Sequence, residues 1–123
     1  MTIAYQCVLA AVLIPYIYTI LVKSGRGYNH KNCREYIEHL KGWRKRAYWA
    51  ELNSFEALPG FIAGVLIATQ AGGAGTAIDQ LALGFIAARI LHGICYLCDL
   101  AILRSLAWAL GMICVVGLFI LAT

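Results

Sequence analysis

Two sets of polar residues sit inside stretches that are otherwise apolar. On a helix of about 3.6 residues per turn, Arg46, Trp49, Asn53, Glu56 and Gly60 recur at steps of three and four and share one narrow stripe. The same arithmetic aligns Arg89, His92, Tyr96 and Asp99 farther along the chain. An ionised side chain at the centre of a membrane helix costs about 2.5 to 3.5 kcal/mol on the insertion scale, so such residues face a bundle interior, a partner or a wet cavity. Glu56 and Arg89 are the deepest charges of opposite sign, and antiparallel helices would bring them to similar depth. The expectation is that they pair, either as a purely internal salt bridge that fixes helix register or as part of a site. Asn53, His92 and Tyr96 add donors and acceptors beyond what that pair requires, which points to a polar site open to the cytoplasm. Glu51 projects from the opposite face, toward headgroups or another subunit.

The elements that position these residues follow from composition. The chain has 123 residues, 62% of them hydrophobic and 13% charged, with a mean hydropathy of +0.75. A soluble domain carries roughly 45 to 50% apolar residues. The sequence therefore reads as an all-α integral membrane protein, a single domain over 1–123, with spans expected at about 3–22, 47–70, 76–97 and 102–122. Pro15 lies inside the first span and Pro59 with Gly60 inside the second, where kinks rather than breaks are expected. No basic segment precedes the first apolar run, so it is read as a retained helix rather than a cleaved signal.

All Lys and Arg residues except Arg89 and Arg104 lie between residues 23 and 46, which predicts a cytoplasmic loop there and both termini on the opposite side. The net charge of +4 is explained by attraction to anionic headgroups and by topology, not by nucleic acid. Residues 23–32 carry turn signals. Tyr36, Ile37, Leu40 and Trp43 then fall at helical spacing, either in a cytosolic extension of the second span or in a separate surface helix. The "AGGAG" loop demands that the second and third spans be antiparallel neighbours, and Asp99 is expected to cap the fourth. Gly84 and Ala88 form a small-xxx-small pair suited to close helix contact. The five cysteines fall mostly in apolar spans, and Cys95 and Cys98 lack a second pair at zinc spacing, so they read as packing residues with no metal site.

The segment "NSFEALPGF", with Asn53, Glu56, Pro59 and Phe61 at N-x-x-E-x-x-P-x-F spacing, resembles the signature of the MAPEG family, the membrane-associated proteins in eicosanoid and glutathione metabolism. "RILHGICYLCDLAILRS" is similar to that family's R-x-x-(H/Y)-x-x-x-Y segment, followed by Arg104 and Ser105. The resemblance spans nearly the whole chain and favours a bacterial-type member like the microsomal glutathione transferases. It implies a homotrimer of four-helix bundles that binds glutathione between subunits near the cytoplasmic side. The activity it implies is that of a glutathione-dependent transferase or peroxidase on lipophilic electrophiles, or a prostaglandin or leukotriene synthase. By position, Asn53 and Glu56 would bind the glutathione backbone with Arg89 supporting Glu56, while His92 and Tyr96 line the same pocket. Arg104, with Ser105, would lie near the sulfur, where a guanidinium stabilises the attacking thiolate; an Arg that merely anchors the fourth helix at the headgroups is the simpler role. Trp49 and Leu52 stand where glutathione-using relatives carry arginines, and Arg46, Lys45, Lys23 and Arg26 are the nearest substitute cations. Two rival readings are the same fold with a degenerate pocket that binds a lipid or anion, and a small multidrug transporter. The first span carries no carboxylate, which argues against the transporter.

Overall fold

The computed structural model describes residues 1–123 and is all-helical. Helix α1 spans Ile3–Lys23, a short α2 covers Cys33–Glu38, and α3, α4 and α5 cover Trp43–Gln70, Gly75–Leu97 and Ala101–Leu121. All of these except α2 are long and apolar enough to cross a membrane. Their outward surfaces carry Leu13, Ile17, Ile20, Ile102, Leu106, Ile113 and Ile120, each more than half exposed. That pattern suits hydrocarbon contact and would be untenable in water. The chain is a multi-pass integral membrane protein with a four-helix bundle.

Helices α3 and α4 form the middle of the bundle, with α1 against one side of the pair and α5 against the other. The core at the end far from the basic loop is dry. Phe61 stacks flat on Phe85, with centroids 4.0 Å apart and an interplanar angle of 8°, and both are buried with Val65, Ala68, Ile78, Ala82 and Leu118. Small residues let α5 lie close to α4, as the small-xxx-small spacing anticipated. A Cβ at Gly84 would be 3.1 Å from the Cys114 sulfur, and Ala88 packs against Gly111. Both prolines lie within continuous helices.

The connections end the helices by recognisable chemistry. After α3, Gly72 adopts φ +79° while Gly73 N–H donates to Ala68 C=O at 3.0 Å and Gly72 N–H to Thr69 C=O at 3.2 Å, the paired bonds of a Schellman termination. After α4, Leu100 N–H donates to Cys95 C=O at 2.8 Å and Asp99 N–H to Tyr96 C=O at 3.2 Å. Here Asp99 itself takes the left-handed position, at φ 60°. This corrects the expectation that Asp99 caps the following helix: Leu100 is the N-cap residue of α5 and contributes no side-chain bond. A short polar side chain tolerates the left-handed region better than most, which accounts for an aspartate where glycine is commoner.

The basic segment forms a separate helix and a helical extension at once. A 3₁₀ turn at His30–Asn32 leads into α2, the chain breaks over residues 39–42 with Gly42 at φ +69°, and α3 begins at Trp43, one turn ahead of the apolar run. Helix α2 is tied down by Tyr36 Oη, which donates to Val22 C=O at 2.7 Å, and by Lys45 Nζ, which donates to Ile37 C=O at 3.2 Å.

Candidate functional site

Arg89 of α4 is buried at 4% exposure and organises the loop end of the α3–α4 pair. Its Nη2 donates to Asn53 Oδ1 at 2.8 Å and to Ser54 Oγ at 3.4 Å. The expected Glu56–Arg89 ion pair is therefore replaced by neutral partners on the preceding turn, and Glu56 is exposed on the side of the bundle. The cause is register. Asn53 and Glu56 are three residues apart, about 4.5 Å along a helix axis, and α4 is set against α3 so that the guanidinium lies level with Asn53. Glu56 and Arg89 still share a crevice of about 100 Å³, with Trp108 and Gly111 on its α5 wall.

Beside that crevice is a polar cavity of about 230 Å³ lined by Asn53, His92, Tyr96, Arg104, Ser105 and Trp108. Its walls come from three helices. Asn53 spends its carbonyl oxygen on Arg89, leaving the amide N–H groups without a protein partner. His92 and Tyr96, one turn apart on α4, meet edge to face with ring centroids 5.5 Å apart. The His92 Nδ1 is buried and has no hydrogen-bond partner, an uncommon state for a buried polar atom. The tight turn at Asp99 folds the first turn of α5 back over the last turns of α4. That brings the Arg104 guanidinium to 4.5 Å from the centre of the Tyr96 ring, a cation–π contact. Arg104 makes no ion pair, so its charge is available to a ligand in the cavity.

Of the residues singled out by sequence, Asn53, His92, Tyr96, Arg104 and Ser105 thus meet in one cavity, and Glu56 and Arg89 lie in the adjoining crevice. Arg46 lines neither. Its Nε and Nη2 donate to Leu97 C=O at 3.3 and 3.1 Å, where a cation also complements the negative end of the α4 dipole. Glu51 faces away from the cavity, as the helical arithmetic required, and lines a groove beside Lys23, Arg34 and Tyr48. Trp49 and Leu52 are exposed on the outside of the bundle. Cys95 is buried and Cys98 exposed, and all five cysteines are free thiols.

Sequence reasoning passed over Ser54 and Trp108. Ser54 adjoins Asn53 and was masked by the search for charges. Trp108 lies four residues after Arg104, so one-turn spacing on α5 was the available signal. Gly93 was also passed over: a Cβ there would collide with the Tyr18 hydroxyl of α1, so only glycine lets the Tyr18 ring pack against α4 behind the site.

The model of the MAPEG family matches residues 3–123. The chain belongs to the MAPEG family. No curated protein and no solved structure matches it. In this MAPEG protein the two motif segments, in α3 and at the α4–α5 junction, are the ones whose side chains line the polar cavity.

Proposed function

We propose that this MAPEG protein is a glutathione-dependent transferase or peroxidase acting on lipophilic electrophiles, and that its working form is a homotrimer with the basic loop in the cytoplasm. Family membership supports the use of glutathione, which members generally employ. The observation that carries the reading is Arg104: an arginine without an ion pair, braced by the Tyr96 ring and adjoining Ser105 in a polar cavity beside the α4–α5 turn.

The residues fit the thiol end of glutathione. Glutathione supplies a nucleophilic sulfur, whose reactivity depends on its being deprotonated. A free thiol is mostly protonated at neutral pH, with a pKa of about 8.5. The Arg104 guanidinium, fixed by the Tyr96 ring, stabilises negative charge on the sulfur while the proton leaves to water; the Ser105 hydroxyl can donate a second hydrogen bond. Asn53 offers its free amide N–H groups to peptide carbonyl or carboxylate oxygens, and the His92 ring forms part of the wall beside them. Arg89 holds Asn53 in place from behind. Exposed Glu56 is positioned to take a cationic amine, and the apolar Trp108 wall is suited to the greasy part of an electrophile arriving from the bilayer. In conjugation a sulfur–carbon bond forms as the electrophile's leaving bond breaks. In peroxide reduction sulfur takes one oxygen as the O–O bond breaks, giving sulfenic acid and, after protonation, an alcohol.

The test is the ultraviolet absorbance of a thiolate when purified protein is mixed with glutathione. The native protein should show the band and Arg104→Ala should lose it, with turnover falling about 100-fold or more, as when one preorganised donor to a developing anion is removed. A second reading, a degenerate pocket that binds a lipid or anion without catalysis, is favoured by Arg46 being held on the Leu97 carbonyl while Trp49 and Leu52 face outward. No band and no binding at millimolar glutathione would sink the first reading and leave the second to be tested by lipid and anion binding.

A further inference from the structure

The basic segment builds a second, separate feature. An open groove of about 870 Å³ runs between the end of α1, helix α2 and the first turn of α3, and it presents Arg26, Lys41 and Arg44 against a single acid, Glu35. We propose that this groove binds the phosphodiester headgroup of an anionic phospholipid in the leaflet on the loop's side of the membrane.

Three observations carry the proposal. First, the groove is built rather than loose. The Tyr36 bond to Val22 C=O fixes its α2 wall, Arg44 Nε donates to Ser24 Oγ at 3.4 Å, and a Cβ at Gly25 would collide with the Tyr36 hydroxyl and press on Arg44 Cδ at 3.1 Å. Second, its donors are unspent. Arg26 and Lys41 are exposed and make no ion pair, and the N–H groups of Gly25, Arg26 and Gly27 donate to no backbone acceptor. Third, its depth suits a lipid phosphate. The groove begins at Ser24, the residue directly after the α1 span, and closes at Arg44, next to the exposed Trp43 whose ring Arg44 covers at 4.4 Å. Exposed tryptophan at the end of a span marks the headgroup level. A phosphodiester there would meet the held Arg44, the unpaired Arg26 and Lys41 and free amide donors, while its acyl chains ran down the apolar outer surface of the bundle.

The rival is diffuse attraction of the whole basic loop to an acidic surface, in which position within the loop would not matter. The experiment titrates the detergent-purified full chain with phosphatidylglycerol and with phosphatidylcholine of the same acyl chains, counting bound lipid by native mass spectrometry. Two variants of equal net charge are compared: Arg26→Gln with Lys41→Gln inside the groove, and Lys31→Gln with Arg34→Gln outside it. All four residues are exposed, and an unchanged unfolding temperature confirms intact folds. A basic residue beside a headgroup contributes about a fivefold factor in binding, so the groove variant should bind phosphatidylglycerol about 25-fold more weakly. The outer variant should bind it as the native chain does, and phosphatidylcholine should bind weakly to all three. Equal losses in both variants would show diffuse attraction and overturn the site. Displacement of the lipid by millimolar inorganic phosphate would assign the groove to a soluble anion and overturn the lipid assignment.

Discussion

At the loop end of the α3–α4 pair, Asn53, Ser54, Arg89 and His92 face one another; about two turns deeper, Phe61 lies flat on Phe85. The deep end is packed with apolar side chains, Phe61, Val65, Ala68, Ala82 and Leu118 among them being fully buried. The loop end has a cavity, an unpartnered imidazole nitrogen and a guanidinium with no counter-ion. The same two helices thus devote one half to holding the bundle together and the other to lining a polar cavity whose groups the bundle leaves partly unpaired. Stability and binding should therefore respond to mutation at different depths.

The largest expected break is Phe61→Ala, which removes a fully buried ring and should cost about 3 to 5 kcal/mol, read as a fall in thermal unfolding temperature in detergent. Arg104→Ala should leave that temperature nearly unchanged, within about 0.5 kcal/mol. If both lowered it equally, the division between the two ends would not hold. Next is Gly93→Ala, which forces the Tyr18 ring away and should cost about 1 to 3 kcal/mol. Adding Tyr18→Phe removes the hydroxyl but leaves the ring carbon that carried it 2.7 Å from the new Cβ, so it should restore part of the loss; an additive double mutant would mean that the two residues do not meet. The smallest contrast is the sharpest on mechanism. Asn53→Ala leaves the buried Arg89 short of its 2.8 Å acceptor and should cost about 1 to 3 kcal/mol. Glu56→Gln should stay within about 0.5 kcal/mol, because that carboxylate holds no ion pair. Comparable losses at both positions would restore the Glu56–Arg89 pairing that sequence alone suggests.

What could be read from sequence divides along physical lines. The four spans were legible because bilayer thickness fixes helix length and the apolar runs are long. The stripes were legible because helical periodicity is rigid, so Asn53, His92 and Tyr96 could be grouped before any helix was placed. Register was not legible. Whether Arg89 meets Asn53 or Glu56 is decided by a shift of one turn, set by how the Gly72 turn hands α3 over to α4 and how small residues seat α5. The handedness of Asp99 was invisible for a related reason: the same residue type serves as a helix cap or a left-handed turn, and neighbouring backbone bonds choose between them. The dual nature of the basic segment depended on a break at Gly42 that amphipathic spacing does not reveal.

One contact joins the start of the chain to its third span. The backbone N–H of Ala4, in the first turn of α1, donates at 3.0 Å to the carboxylate of Asp79, a residue 75 positions later in the first turns of α4. Thr2 satisfies the neighbouring amide of Tyr5 locally, whereas Ala4 takes its side-chain acceptor from α4. The first turn of α1 is thus closed by the third span and not by its own sequence, so Asp79→Ala should loosen the start of α1, read as faster amide exchange at Ala4.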